Sequence, residues 1–416
     1  MDIELITKNE KLAEIVRITR EDCENKSFSD VVDASGHQYI DLVMEGGGML
    51  GIALVGYVYV LEQIGIRFLG IAGTSAGSIT ALLLAALGTP DQAKGEKLLQ
   101  LMAEKDFKEF VDGDSDARDF VESWLDGAGK IKLAFKAAQV IDNFQEDMGL
   151  NPGLNFLEWI RTILRNENIS TSRDLQQRMR TLPQGIGVRE GIEPFATSDE
   201  LFARLAIIAA DVATETKVEF PRMAPLYWED PENVDPALFV RASMSIPFFF
   251  HPMEVKPLPR DSNCVTMWKE FAGLICREEE DYFPNRGLFI DGGIISNFPI
   301  NVFHDSTRVP RLPTFGVKLQ LDERLQKISG PVDLALAIFN SARHALDYDF
   351  ITNNPDYRKL VQWIPAKGFN WLNFSMTDEE KVNLFLEGAF SAQKFLREFD
   401  WQNYKRIRRE LLSGLQ

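Results

Sequence analysis

The sequence predicts an α/β fold in which a mainly parallel sheet carries helices on its faces. Three observations lead there. Tyr39-Ile40-Asp41-Leu42-Val43-Met44 and Arg67-Phe68-Leu69-Gly70-Ile71-Ala72 are apolar runs of strand length. Each passes through a glycine-containing turn into an apolar stretch of helical period, and strand–turn–helix twice in succession implies parallel strands joined by crossover helices. At 416 residues, 45% of them hydrophobic, the chain is long enough to cover both faces of such a sheet.

Residues 1–37 are polar and charged and read as an N-terminal appendage, with one short helix around Lys11 to Arg20. The main domain spans 38–400. After the first strand and Gly46-Gly47-Gly48, a helix runs from Gly51 and stops at Gly65. The second strand leads through Gly73-Thr74-Ser75-Ala76-Gly77 into a helix ending at Leu87. Residues 89–185 are mixed helical and polar, without repeats, and read as a helical insertion; Gly-Ala-Gly at 127–129 and Asn-Pro-Gly at 151–153 punctuate it. Strand patterns return at Ala203 to Ala210 and Lys217 to Phe220. A helix over Asp235 to Ser245 is stopped by Pro247. Leu288-Phe289-Ile290 is a short strand running into Asp291-Gly292-Gly293, and Thr314 to Leu319 is another. Long helices are expected over 331–350 and 378–414, with 401–416 closing the C-terminal helix. The stretch 359–375 fits a late edge strand and loop.

The formal net charge of −17 argues against nucleic acid as a partner, because such a chain repels phosphates. The one compact basic stretch, Lys405, Arg406, Arg408 and Arg409, reads as a solvated helix face. Cys23, Cys264 and Cys276 are odd in number and match no metal spacing, so they read as free thiols in a reducing, cytoplasmic compartment. The acidic N-terminus lacks the pattern of a signal peptide. The longest apolar run, Ile79 to Leu87, is far short of the ~20 residues of a membrane span. Membrane contact is therefore expected to be peripheral.

Gly46-x-Gly48-x-x-Gly51 between strand and helix has three readings. It matches the dinucleotide fingerprint, yet no carboxylate stands at the end of the second strand, where a ribose would need one. It also leaves backbone N–H groups at a helix N-terminus, which suits an oxyanion. Or it is a tight turn with no ligand. Gly73-Thr74-Ser75-Ala76-Gly77 matches the nucleophile elbow, with the required apolar strand before it and apolar helix after it. Neighbouring parallel strands end at one edge of a sheet, so the glycine N–H groups would face Ser75, which favours the oxyanion reading.

A serine hydroxyl needs a proton acceptor. None of the four histidines, His37, His251, His304 and His344, is flagged by a motif. Asp291, at a strand end before two glycines, is placed as a base at the carboxyl edge of the sheet should be. Its bland alternative is a turn-capping aspartate. Asp211 is a rival without a following glycine turn.

Together, Gly46-Gly47-Gly48-Met49-Leu50-Gly51, Gly73-Thr74-Ser75-Ala76-Gly77 and Asp291-Gly292-Gly293 resemble the patatin-like phospholipase family, as do Arg241 to Pro247 and Ile290 to Pro299. The resemblance covers roughly residues 38–320. It implies a three-layer α/β/α sandwich, a Ser-Asp dyad without histidine, hydrolysis of acyl esters in lipids at a membrane surface, and no metal or organic cofactor. Carried over, Ser75 is the nucleophile and Asp291 its base, and backbone N–H groups of Gly47, Gly48 and Met49 form the oxyanion hole. Leu50 departs from the Arg or Lys usual in that loop. The alternatives are a Ser-His-Asp esterase, for which His304 and His344 follow Asp291 in the chain, and a non-catalytic nucleotide-binding or interaction module. No motif in 1–37 or 89–185 points to an activator. Phe248-Phe249-Phe250 is either a buried strand or a stretch that lines an acyl pocket or touches the bilayer.

Overall fold

The computed structural model describes residues 1–119, 147–195, 201–276, 283–303, 305, 307–320, 328, 334, 337–343, 354 and 356–414. The Gly-Ala-Gly run at 127–129, His304, His344, and much of the helices expected within 89–185 and over 331–350 lie outside these residues.

The first strand of the domain, β1 (Gln38–Met44), is followed by α1 (Gly51–Gln63), β2 (Ile66–Thr74) and α2 (Ala76–Ala86), as the alternating pattern predicts. Further strands are β3 (Gly149–Asn151), β4 (Arg204–Asp211), β5 (Thr216–Phe220), β6 (Phe248–Phe250), β7 (Met253–Val255), β8 (Gly287–Asp291), β9 (Thr314–Gln320) and β10 (Val361–Pro365), and the two-residue strands Val31–Val32 and Gly187–Val188 pair with each other beside β1. The central sheet is mixed and flanked by helices. Its core, in the order β10-β9-β1-β2-β4, is parallel throughout. All nine residues of β2 are buried, which is why the strand reads as a continuous apolar run rather than an alternating one. The expected late edge strand is β10, parallel to β9.

Beyond β4 the sheet turns antiparallel, and this positions the site. β8 runs against β4, pairing Asp291 with Ala209, Ile290 with Ala210 and Phe289 with Asp211. β2 pairs Thr74 with Ile208. β5 pairs with residues Ile207 to Asp211 of β4 and so occupies the opposite edge from both. Hence β2 and β8 lie on one edge of β4, running toward each other and ending one residue step apart. Asp291 thus reaches the carboxyl ends of β2 and β4 on an antiparallel strand: β8 descends to the level where β2 stops.

The insertion contributes α3 (Gly95–Glu104), α4 (Leu154–Asn166) and α5 (Ser172–Met179), and α6 (Ala237–Ser243) packs on β4 and β8. The C-terminal pattern forms two helices, α7 (Asp378–Glu398) and α8 (Trp401–Gly414), the first started by a Thr377–Glu380 capping box. Residues 1–37 pack on the main body: Ile6, Leu12 and Phe28 join its core. The basic stretch of α8 is not one solvated face. Lys405 and Arg408 are buried, paired with Asp30 at 2.8 Å and Asp356 at 2.9 Å, while Arg406 stays outside with Glu410. Lys405 thus tethers the N-terminal segment, and Arg408 ties α8 to the segment before β10. All three cysteines are buried free thiols. Among the described residues, no helix is long and apolar enough to cross a membrane.

Candidate active site

Ser75 joins β2 to α2 with φ 50° and ψ −119°, a conformation strained for any residue with a Cβ. The flanking glycines make the turn feasible. A Cβ on Gly73 would meet the backbone of Gly77, and one on Gly77 would meet the carbonyl of Met44. The carbonyl of Ser75 accepts the N–H groups of Ser78 (2.9 Å) and Ile79 (3.1 Å), starting the helix. Its own N–H donates to Ser243 Oγ at 2.9 Å, which donates onward to the Ile208 carbonyl at 2.5 Å. The loop after α6 therefore braces the elbow against β4. The same loop holds the end of β8, for the Asp291 N–H donates to the Ser245 carbonyl at 2.8 Å. Buried Arg241 secures that loop through Ser245 Oγ (2.5 Å) and the carbonyls of Pro152 (2.7 Å) and His251 (2.9 Å), and burial lowers its pKa to about 10.

The Asp291 carboxyl is only 3% exposed and accepts a hydrogen bond from the Gly293 N–H at 2.7 Å, and it lies near enough to the Ser75 hydroxyl for that group to favour its charged form. Burial raises its pKa above the ordinary aspartate value, against the opposing pull of the Arg343 guanidinium and these two groups. The rival Asp211 is spent on structure. It accepts from Ala213 N–H (3.0 Å), Leu288 N–H (2.9 Å), the Thr214 hydroxyl (2.8 Å) and the Tyr227 hydroxyl (3.1 Å). His37 is held by Asp33 at 2.8 Å, next to the Tyr39 hydroxyl.

In the glycine loop, the Ser75 side chain lies against Gly46, whose carbonyl accepts from Asn297 Nδ2 (3.2 Å) and Arg343 (2.9 Å). Gly48 has φ +53°, and a Cβ there would strike the Trp371 carbonyl. That carbonyl accepts the Met49 N–H at 2.9 Å. Met49 is thus corrected as an oxyanion donor: its N–H is already engaged. The N–H groups of Gly47 and Gly48 meet no protein acceptor among the described residues. Neither does that of Ala76, at the N-terminus of α2. Leu50, where a basic residue was expected, is fully buried in the core.

Ser75, Ala76 and Gly48 open on a narrow apolar cleft of about 50 Å³, walled by Ile246, Phe250, Phe374 and residues of the insertion such as Phe110 and Trp159. The aromatic run divides accordingly. Phe250 lines the cleft. Phe249 is buried, stacked on Phe374 at 5.2 Å between centroids. Phe248 is 44% exposed, with φ 67°.

Four residues that touch this site carried no assigned role in the sequence: Ser243, Asn297, Arg343 and Trp371. Ser243 and Asn297 fall within the two stretches that resembled the family, so their neighbourhood was marked. Arg343 and Trp371 gave no signal, because they reach the site from distant segments.

A Bacillus subtilis protein, "Uncharacterized protein YqhO", is 28% identical over 366 residues, covering 87% of this chain and all of that one. Among solved structures, VipD from Legionella pneumophila aligns at 15% identity and a TM-score of 0.35, over 89% of this chain and 70% of its own. A chain of the ExoU–SpcU heterodimer from the type III secretion system of Pseudomonas aeruginosa aligns at 16% and 0.33; this chain covers 86% of itself and about half, 51%, of that one. The profile of the patatin-like phospholipase family matches residues 42–304, a span that takes in the glycine loop, the Ser75 elbow and Asp291. With more than half of its length on that profile, this chain belongs to the patatin-like phospholipase family.

Proposed function

We propose that the protein is a serine-dependent lipid acyl hydrolase of phospholipase A type, with Ser75 as nucleophile and Asp291 as its base. The observation that carries this reading is the strained Ser75 elbow opening on an apolar cleft, with the buried Asp291 one residue step away along the same edge of β4. As Ser75 Oγ attacks the ester carbonyl carbon, its proton passes to Asp291. The oxygen of the tetrahedral intermediate takes its charge beside the N–H groups of Gly47 and Gly48, with the N-terminus of α2 adding its dipole. Collapse breaks the ester bond, and the leaving alcohol takes the proton from Asp291. Water then attacks the acyl-serine, Asp291 accepts its proton and returns it to Ser75, and the fatty acid leaves. An aspartate made more basic by burial is better matched to this work near neutral pH than an ordinary one.

The apolar cleft suits an acyl chain, so the substrate is a lipid met peripherally at a membrane surface. The buried free thiols agree with a cytoplasmic location. Two measurements test the proposal: labelling of Ser75 by a fluorophosphonate, and mass spectrometry of a mixed lipid extract incubated with the wild type and with Ser75→Ala. Free fatty acid and lysolipid formed only by the wild type support it. Absence of both labelling and products from folded protein returns the chain to a binding role.

A further inference from the structure

Position 50 in the glycine loop holds a buried leucine, yet a cation does reach the loop, from elsewhere in the chain. Arg343, at the end of the described helical run 337–343, is buried and donates to the Gly46 carbonyl at 2.9 Å. Its guanidinium lies over the Trp371 ring, 5.0 Å from the centroid, and beside Phe339 at 5.5 Å. The Trp371 carbonyl in turn holds the Met49 N–H and abuts Gly48. One side of this pair therefore fixes the carbonyl before Gly47, and the other fixes the N–H after Gly48. The two N–H groups that meet no protein acceptor among the described residues, those of Gly47 and Gly48, lie between these anchor points.

Arg343 also faces the base. Its Nε, like Asn297 Oδ1 and Asp291 Oδ1, lies within van der Waals range of a Cβ placed on Gly293. That Nε is buried and has no hydrogen-bond partner among the described residues. An unmet donor in a buried guanidinium opposes stability, so stability alone does not account for this placement. Among the described residues, Arg343 carries the charge that acts on Asp291. The Gly293 N–H hydrogen-bonds it, the Ser75 hydroxyl lies near it, and the loop after α6 presents the Ser245 carbonyl, to the Asp291 N–H.

We propose that Arg343, braced by Trp371, is a positioning residue that holds the glycine loop and the Asp291 carboxylate in working register, supplying from a separate segment the cation that the loop lacks at position 50. The proposal rests on the Ser75–Asp291 reading given above. Planar guanidinium suits both tasks, since it hydrogen-bonds the loop carbonyl in its plane and stacks on the indole with its face.

The test uses the full chain and a water-soluble short-chain ester, with Ser75→Ala in the same assay. Arg343→Gln keeps a donor for the Gly46 carbonyl but removes the charge. Its kcat should fall by about 10²-fold, the scale of a misdirected oxyanion donor, with KM little changed. The acid limb of its kcat profile should move to higher pH, because the charge that favours ionised Asp291 is gone. Arg343→Lys should bring the acid limb back toward that of the wild type with only part of kcat restored. Wild-type kcat and an unmoved limb in Arg343→Gln overturn the proposal. So does a loss of kcat with an unmoved limb and no recovery in Arg343→Lys, which marks a merely structural residue. If Arg343→Gln does not fold, Arg343→Lys decides by itself: a limb in place with reduced kcat supports the proposal, and wild-type kcat sinks it. An active Ser75→Ala variant instead overturns the underlying reading, whatever the arginine variants do.

Discussion

Ser75 follows the end of one strand and Asp291 closes another, and the two strands, running in opposite directions, end against the same edge of β4. The preceding Thr74 is paired with Ile208 and Asp291 with Ala209, so one residue step of a third strand sets their separation. Neither partner hangs from a long loop. Both sit where a strand gives way to a glycine-supported turn, which fixes them as a catalytic pair requires.

Replacing Ser75 with alanine should abolish ester hydrolysis. Loss of a catalytic nucleophile costs on the order of 10⁶ in turnover in a known case. The fold should survive, since the bracing bonds at this residue are made by its backbone. Steady-state rates and circular dichroism check both halves. Substantial residual activity in the pure variant would remove Ser75 from the mechanism.

Asp291→Asn should be nearly inactive, while His304→Ala and His344→Ala each keep most of their activity. A histidine variant as inert as Ser75→Ala would favour the Ser-His-Asp alternative. The aspartate also predicts a pH signature in stability. Its folded pKa lies above the unfolded one, so the native state binds the extra proton between the two values. Stability from this group is then present below the ordinary aspartate range and is lost as pH rises toward the folded value. Asp291→Asn should therefore melt higher than the wild type near neutral pH, and the gap should close in acid. A gap that does not depend on pH would contradict the burial argument.

Gly48→Ala should lose about 10²–10³ in turnover, the scale of one oxyanion donor. The residue lies at φ +53°, and a methyl there meets the Trp371 carbonyl. Gly36→Ala is the matched control, because Gly36 has φ +83° and open space around it. It shares the backbone strain without the site. Equal kinetics in the two variants would separate the loop from catalysis.

Phe248 is the member of the aromatic run with which to examine the lipid surface. Phe249 is packed against Phe374, so replacing it would report on the core instead. Phe248→Gly relieves a positive φ and removes a half-exposed ring. Activity on phospholipid vesicles should fall several-fold while a soluble ester is turned over as before, with an unchanged or slightly higher melting temperature. Parallel losses on both substrates would move membrane docking to another surface.

The parallel core of the sheet was legible because β1 and β2 are buried on both faces and each opens into a glycine turn. Those turns also marked Ser75, Asp291 and the glycine loop, since sharp backbone needs leave a local trace. Three things left none. The direction of β8 is not encoded in its five residues, so the head-on approach by which Asp291 comes beside the end of β2 was not legible. The engagement of the Met49 N–H depends on a carbonyl 322 positions away (371 − 49). And the ion pairs of Lys405 and Arg408 depend on partners far along the chain, so a run of basic residues looked like solvated surface.

The head-to-head arrangement on β4 has a consequence during synthesis. The turn of the elbow, much of the cleft and the β4 template are made by residue 211, but the Ser243 brace comes later and the second strand end does not exist until residue 291. On the proposed reading, a nascent or truncated chain that stops before Gly287 holds Ser75 without the Asp291 that would accept its proton. Hydrolytic competence would then wait until most of the polypeptide has been made, and a separate piece would have to bring its own strand to the vacant edge to restore it.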